Sequence, residues 1–236
     1  MRIHLISSPR NVSTALMYSF AQRTDTRVVD EPFYAHYLMM SGAEHPGRAD
    51  ILASQPHRVE EVLDGLDSMD TRPLLFIKGM AHHLQEVDPT VLAAWTSVFL
   101  IREPRQLIAS FAQVIAKPTM QDIGLARMST LYQAIRSAGG KALVLDSADL
   151  VRDPQAALEA LCAALGIPFQ SGMLKWEAGP RPEDGVWAPH WYANVHRSTG
   201  FAPQATSTRP LPEQCRDLYA EALPHYEALQ SHALTV

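Results

Sequence analysis

Arg10, Ser13 and Thr14 sit close together in RIHLISSPRNVSTALMYSF, residues 2–20, and between them they can hold an anion. Arg10 supplies a cation and the two hydroxyls supply hydrogen-bond donors. Ahead of them, Ile3, Leu5 and Ile6 read as a buried strand that Pro9 breaks; behind them, Ala15, Leu16 and Met17 begin an apolar helical face. A strand that turns straight into a helix leaves several main-chain N–H groups aimed at one spot, with the positive end of the helix dipole behind them. A phosphate or sulfate ester suits such a loop. The same letters also spell an ordinary strand–loop–helix capped by Ser13, and this segment alone leaves both readings open.

The loop is not a nucleoside-triphosphate loop. The pattern G-x-x-x-x-G-K-[ST] is absent, no glycine lies between Met1 and Gly42, and the Gly140-Lys141 pair reads as a turn before a strand. A second cation stands in FLIREPRQLIASF, where Arg102 ends an apolar run, Pro104 opens a helix and Ser110 follows roughly two turns along it. Proton-transfer chemistry is offered by Glu31 in VVDEPF and by Lys78, His82 and His83 in FIKGMAHHL. Asp30-Glu31 can equally be a solvated acidic turn. Of the two histidines, one is expected to face a site and the other to lie at the surface or cap a helix; no supporting short spacing makes them metal ligands.

These residues hang on a regular rhythm of elements. Short apolar runs at Ile3–Ile6, Arg27–Val29, Leu74–Ile77, Val98–Ile101 and Ala142–Leu145 read as central strands. Helices are expected after Ser13, after Pro56 (Val59, Val62, Leu63 and Leu66 on one face), after Pro104 (Leu107, Ile108, Phe111 and Ile115) and after Asp153-Pro154, the last stopping at Gly166. Such alternation predicts an α/β fold with a roughly five-stranded parallel sheet flanked by helices, and ligands at the strands' C-terminal edge. Residues 32–55 and 176–212 break the rhythm and read as irregular, aromatic-rich loops covering the site. Phe33, Tyr34, His36 and Tyr37 from the first, and Trp187, His190, Trp191 and Tyr192 from the second, either wall a ligand pocket or pack the loops onto the sheet.

Composition sets the outer bounds. The 236 residues, 47% hydrophobic and 19% charged, suit one globular domain spanning 1–236. A net charge of −5 argues against nucleic acid or an acidic membrane as partner, so any basic site is local. Cys162 and Cys215 read as free buried thiols of a reducing, cytoplasmic setting. No leader-like segment and no apolar run long enough to span a membrane is expected.

Taken together, the motifs resemble those of the PAPS-dependent sulfotransferases, which use 3′-phosphoadenosine 5′-phosphosulfate as donor. Pro9, Arg10, Ser13 and Thr14 match that family's Pro-Lys/Arg-x-x-[ST]-T loop. Arg102, Pro104 and Ser110 match its 3′-phosphate site, and LDSADLVRDPQAALEALCAALGIPF resembles its strand, acidic turn and amphipathic helix ending in Leu-Gly-Ile-Pro. Arg10 stands where many members have Lys, and Val12 where many have Gly; this Arg form is similar to bacterial carbohydrate and protein-tyrosine enzymes. The family's Arg-Lys-Gly-x-x-Gly element is missing, and HRSTGF, His196 to Phe201, is the expected replacement, with Arg197 as a second 3′-phosphate contact and Gly200 permitting close backbone approach.

The resemblance implies a three-layer P-loop-type fold and a transferase of the sulfuryl group to a hydroxyl or amine of a small-molecule acceptor, leaving adenosine 3′,5′-bisphosphate, with no metal. It assigns the donor to Pro9, Arg10, Asn11, Val12, Ser13, Thr14, Ala15, Arg102, Ser110 and Arg197. Glu31 is the first choice as base, held by Pro32 in an extended loop, with His82 or His83 as rival; Lys78 and Arg10 assist the transfer. Phe33, Tyr34, His36, His83, Trp187 and Trp191 are expected at the acceptor, and a homodimer is an allowed assembly. A nucleotide or metabolite phosphotransferase and a non-catalytic nucleotide-binding module are the competing functions.

Overall fold

The computed structural model describes residues 1–69, 72–115, 117–201 and 209–236. Five strands form one parallel sheet in the order β2-β3-β1-β4-β5: β1 Arg2–Ser7, β2 Thr26–Asp30, β3 Leu74–Met80, β4 Thr96–Ile101 and β5 Lys141–Asp146. The helices are α1 Ser13–Ala21, α2 Tyr34–Ser41, α3 Arg48–Ser54, α4 Val59–Asp67, α5 Pro89–Leu92, α6 Pro104–Phe111, α7 Met120–Ile123, α8 Leu125–Ser137, α9 Ser147–Arg152, α10 Pro154–Leu165, α11 Ala188–Trp191 and α12 Arg216–Gln230.

Both sheet faces are covered, which is why the strands read as unbroken apolar runs. Alternate residues serve opposite cores. Leu75, Ile77, Phe99 and Ile101 pack with α4, α6, α8 and α12, whereas Phe76, Val98 and Leu100 pack with α1, α9 and α10. The chain leaves β1 toward β2 and leaves β4 toward β5, so the crevice between the C-terminal ends of β1 and β4 is a topological switch point. Among the described residues no helix is long and apolar enough to cross a membrane.

Two local expectations need correction. Residues 32–55 are not irregular: Pro32 and Pro46 flank α2 and α3 rather than interrupt them, and Gly42, at φ +65°, closes α2 in a left-handed turn. Tyr34, Ala35, Tyr37 and Leu38 of α2 form a small third core with Ile51, Trp187 and Tyr192. Helix α6 ends at Phe111, so Ile115 packs from the turn beyond it. Segment 176–201 is an ordered, mostly irregular strap, tied to α1 where the Tyr18 hydroxyl donates to the Asp184 carboxylate at 2.7 Å. Residues 202–208 of the expected 176–212 loop lie outside the described residues. Sequence patterning did not pick out α8 or α12, which close the α4/α6 face.

Candidate functional site

A cavity of about 860 Å³ opens at the switch point. The loop after β1 forms one side of it, with Pro9, Arg10, Asn11, Val12, Ser13, Thr14 and Ala15 all on its lining. Arg10 sits at φ +56°, a left-handed turn unusual for a side chain other than glycine. The N-cap of α1 is Val12, which has no side-chain acceptor, and Ser13 is the first helical residue. The first turn therefore lacks a side-chain cap, and its residues Ser13, Thr14 and Ala15 line the cavity, which favours the anion reading over the ordinary N-cap reading. Asn11 secures the loop by donating from Nδ2 to the Leu100 carbonyl of β4 at 2.9 Å.

Arg102 and Ser110 reach the same cavity from β4 and α6. Arg102 donates to the main-chain oxygen of Arg10, and Arg10 Nε donates to Ser110 Oγ at 3.4 Å. Burial first, and then the charge of Arg10, work against the Arg102 cation. Arg209, which the sequence reading did not single out, joins the same lining. Among the described residues none of these three arginines pairs with a carboxylate. Three unneutralised cations around uncapped N–H groups constitute a donor set for a multiply charged anion.

The other end of the cavity is acidic and aromatic. Asp30, the last residue of β2, is in register with Lys78 of β3, so both side chains leave the sheet together. Lys78, wholly buried, gives one N–H each to Asp30 Oδ1 at 3.1 Å, to Glu31 Oε1, and to the Tyr192 hydroxyl at 2.7 Å. Glu31 is not extended: its φ is +39°, although a following proline ordinarily steers a residue to extended backbone. Its N–H donates to the Lys78 carbonyl at 2.7 Å, and its carbonyl accepts from Gln55 Nε2 at 3.0 Å. These contacts and the Lys78 ammonium hold the turn against its strain. Burial raises the pKa of Glu31, Lys78 opposes that rise and Asp30 adds to it; a buried carboxyl of this kind is suited to accepting a proton.

His82 and His83 both lie in the 3₁₀ turn after β3, and both are buried and line the cavity; neither is a surface residue. Helix α2 covers them, with Tyr34 stacked on His83 at 4.4 Å and Tyr37 stacked on it at 5.0 Å. Burial depresses His82 to about 3 and puts His83 well below its ordinary value, so both imidazoles are neutral. His83 Nδ1 stands 3.6 Å from Glu31 Oε2. Among the described residues no group of three or more His, Cys, Asp or Glu is placed to hold a metal ion.

Of the six residues expected at the acceptor, three line the cavity. Tyr34, His83 and Trp191 line the cavity. Phe33, His36 and Trp187 do not: Phe33 belongs to the core on the α4/α6 face, His36 Nδ1 bonds the His57 carbonyl, and the Trp187 indole donates inward to the Tyr192 hydroxyl. Arg197 is exposed, donates to Asn194 Oδ1 and does not line the cavity, whereas Ser198, Gly200 and Phe201 of HRSTGF do. Gly200 permits close approach to Leu174, whose carbonyl a Cβ would meet at 2.8 Å. Asp30 and Arg209 carry no motif, and only their placement beside Lys78 and Arg10 reveals them.

Residues 1–233 match the family description "Sulfotransferase domain". Two proteins of Arabidopsis thaliana, named branched-chain-amino-acid aminotransferase-like proteins 1 and 2, are 40% and 38% identical over 232 residues. Those matches take in 98% of this chain but only 42% and 41% of theirs, so the chain spans less than half the length of these relatives. In three dimensions the chain is similar to the sulfotransferase domain from the curacin biosynthetic pathway, with a TM-score of 0.55, 17% identity and coverage of 99% of this chain and 98% of that one. It is also similar to a sulfotransferase from Alicyclobacillus acidocaldarius, with a TM-score of 0.53, 12% identity and coverage of 97% and 94%. At these identities the structural likeness is one of fold.

Proposed function

The chain belongs to the sulfotransferase domain family, and on that premise we propose that it moves the sulfuryl group of 3′-phosphoadenosine 5′-phosphosulfate to a hydroxyl of a small-molecule acceptor. The observation that carries this reading is one cavity lined by three arginines that pair with no carboxylate among the described residues and, from β2 and β3, by Glu31 and the lysine bound to it.

Arg10, Ser13, Thr14 and the N–H groups of α1 hold the 5′-phosphosulfate, while Arg102 and Ser110 hold the 3′-phosphate. The acceptor lies against Tyr34, His83 and Trp191. Its oxygen forms the new O–S bond as the bond from sulfur to the 5′-phosphate oxygen breaks, and its proton passes to Glu31. Lys78 and Arg10 offset charge on the transferring group, and positioning and electrostatics supply most of the acceleration.

The test is thermal unfolding with adenosine 3′,5′-bisphosphate, ATP with Mg²⁺, and AMP. Saturation at about 100 times the dissociation constant adds ~2.7 kcal/mol, and stabilisation by the bisphosphate alone is expected. Preference for ATP with Mg²⁺ would replace this reading with phosphoryl transfer. Bisphosphate binding with no acceptor turned over among sugars, phenols, amines and cholines would leave a nucleotide-binding module.

A further inference from the structure

The hydroxyl of Tyr192, a cavity-lining residue only 5% exposed, meets four polar groups. Lys78 Nζ donates to it at 2.7 Å and Trp187 Nε1 at 3.0 Å. Both are donors only, so together they fill the two lone pairs of the phenolic oxygen. One hydrogen remains, and two carboxylates compete for it: Asp30 Oδ2 at 2.7 Å and Glu31 Oε1 at 3.3 Å. The shorter contact takes it. Lys78 meanwhile spends its three N–H groups on Asp30, Glu31 and Tyr192.

We infer that Tyr192 is a positioning residue for the base: its hydroxyl gives its only hydrogen to Asp30 and leaves Glu31 as the carboxylate that can take a proton. The inference rests on the reading of Glu31 as base. With the phenol in place, Asp30 Oδ2 has the tyrosine hydrogen as its donor and Glu31 is left without it. Without it, two buried carboxylates on one lysine would share a proton, and Asp30 would compete for the one that Glu31 must accept.

The same contact links the base to the strap. Tyr192 follows α11 directly, and the Gly185 N–H donates to Asp30 Oδ2 at 3.3 Å, so the strap reaches Asp30 from two points. Gly185 leaves no room for a side chain, because a Cβ there would lie 2.1 Å from the Trp187 ring. The groups facing Glu31 are Asp30 from β2, Lys78 from β3, His83 from the turn after β3, Tyr34 from α2 and Tyr192 from the strap. Of these, Asp30 is the other carboxylate on Lys78.

The test is the pH titration of the Glu31 carboxyl by carbon-13 NMR, assigned by its loss in Glu31→Gln, with bisphosphate binding measured by calorimetry on every variant. In Tyr192→Phe the Glu31 midpoint falls by about one pH unit, because Asp30, without its tyrosine donor, then competes with Glu31 for the proton. Asp30→Asn lowers it too, and the double variant falls no further than Asp30→Asn alone. A midpoint that stays or rises in Tyr192→Phe, or a double variant that falls further, overturns the inference. If Tyr192→Phe does not fold, Asp30→Asn reads the same charge, and an unchanged or raised midpoint there is equally fatal. Failure of the wild-type protein to bind the bisphosphate would overturn the sulfotransferase reading instead, while the titration still decides the role of Tyr192.

Discussion

Arg102 and Arg10 are joined side chain to main chain: the guanidinium that closes β4 donates to the carbonyl of the residue in the left-handed turn after β1. A cation that would contact a ligand also fixes the shape of the loop that binds it. The Asn11 bond to Leu100 adds a second tie between β1 and β4 at the same edge.

Arg102→Ala should therefore weaken adenosine 3′,5′-bisphosphate by ~1.5–3 kcal/mol, the scale of a hydrogen bond to a charged group. Titration calorimetry reads this directly as a dissociation constant raised by about ten- to a hundredfold. Unchanged affinity would remove Arg102 from the donor site.

Glu31→Gln keeps the shape of the side chain and abolishes its capacity to take a proton. Turnover should drop by about 10²–10⁴-fold while bisphosphate affinity is preserved, because the donor end of the cavity is untouched. A variant with full turnover would pass the base to His83, whose Nδ1 stands next to Glu31.

His4 gives a stability prediction with a definite sign. It is buried on β1 against Trp95 and Phe33 with both ring nitrogens unpartnered, and burial lowers it from 6.5 to about 3. Below 6.5 the unfolded chain binds a proton that the folded chain refuses until about 3. The stability this group allows is full above its unfolded value and lost as pH falls through that window, by at most ~1.4 kcal/mol per pH unit. In urea unfolding, the gain of His4→Leu over wild type should grow steadily from about pH 7 to about pH 5. A gain independent of pH would show that folded His4 reaches a proton.

The sheet was legible because both faces are buried and each strand is a short apolar run ended by Pro, Gly or a charge. The loop after β1 was legible for a related reason: Pro9, Arg10, Ser13 and Thr14 fall within six residues, and their geometry is local. What pattern could not supply was long-range. Tyr192 lies 114 residues from Lys78, and nothing in its neighbourhood distinguishes a tyrosine that bonds a lysine from one that lines a wall. Trp187 and Phe33 illustrate the converse, since aromatic content marks burial without saying whether the ring faces a core or a cavity. The left-handed backbone of Glu31 ran against a sound local rule because contacts with Lys78 and Gln55 outweigh it. Helix α2 was hidden by the prolines and glycines that frame it.

Strand order has its own consequence for how this site would fail. Arg10 and Arg102 follow β1 and β4, interior to the sheet, whereas Asp30 ends β2 and Glu31 follows it, and β2 is an outer strand with a neighbour on one side only. Outer strands loosen at lower free energy than interior ones. In rising denaturant, turnover should therefore vanish before nucleotide affinity does, leaving a protein that grips its donor and can no longer spend it.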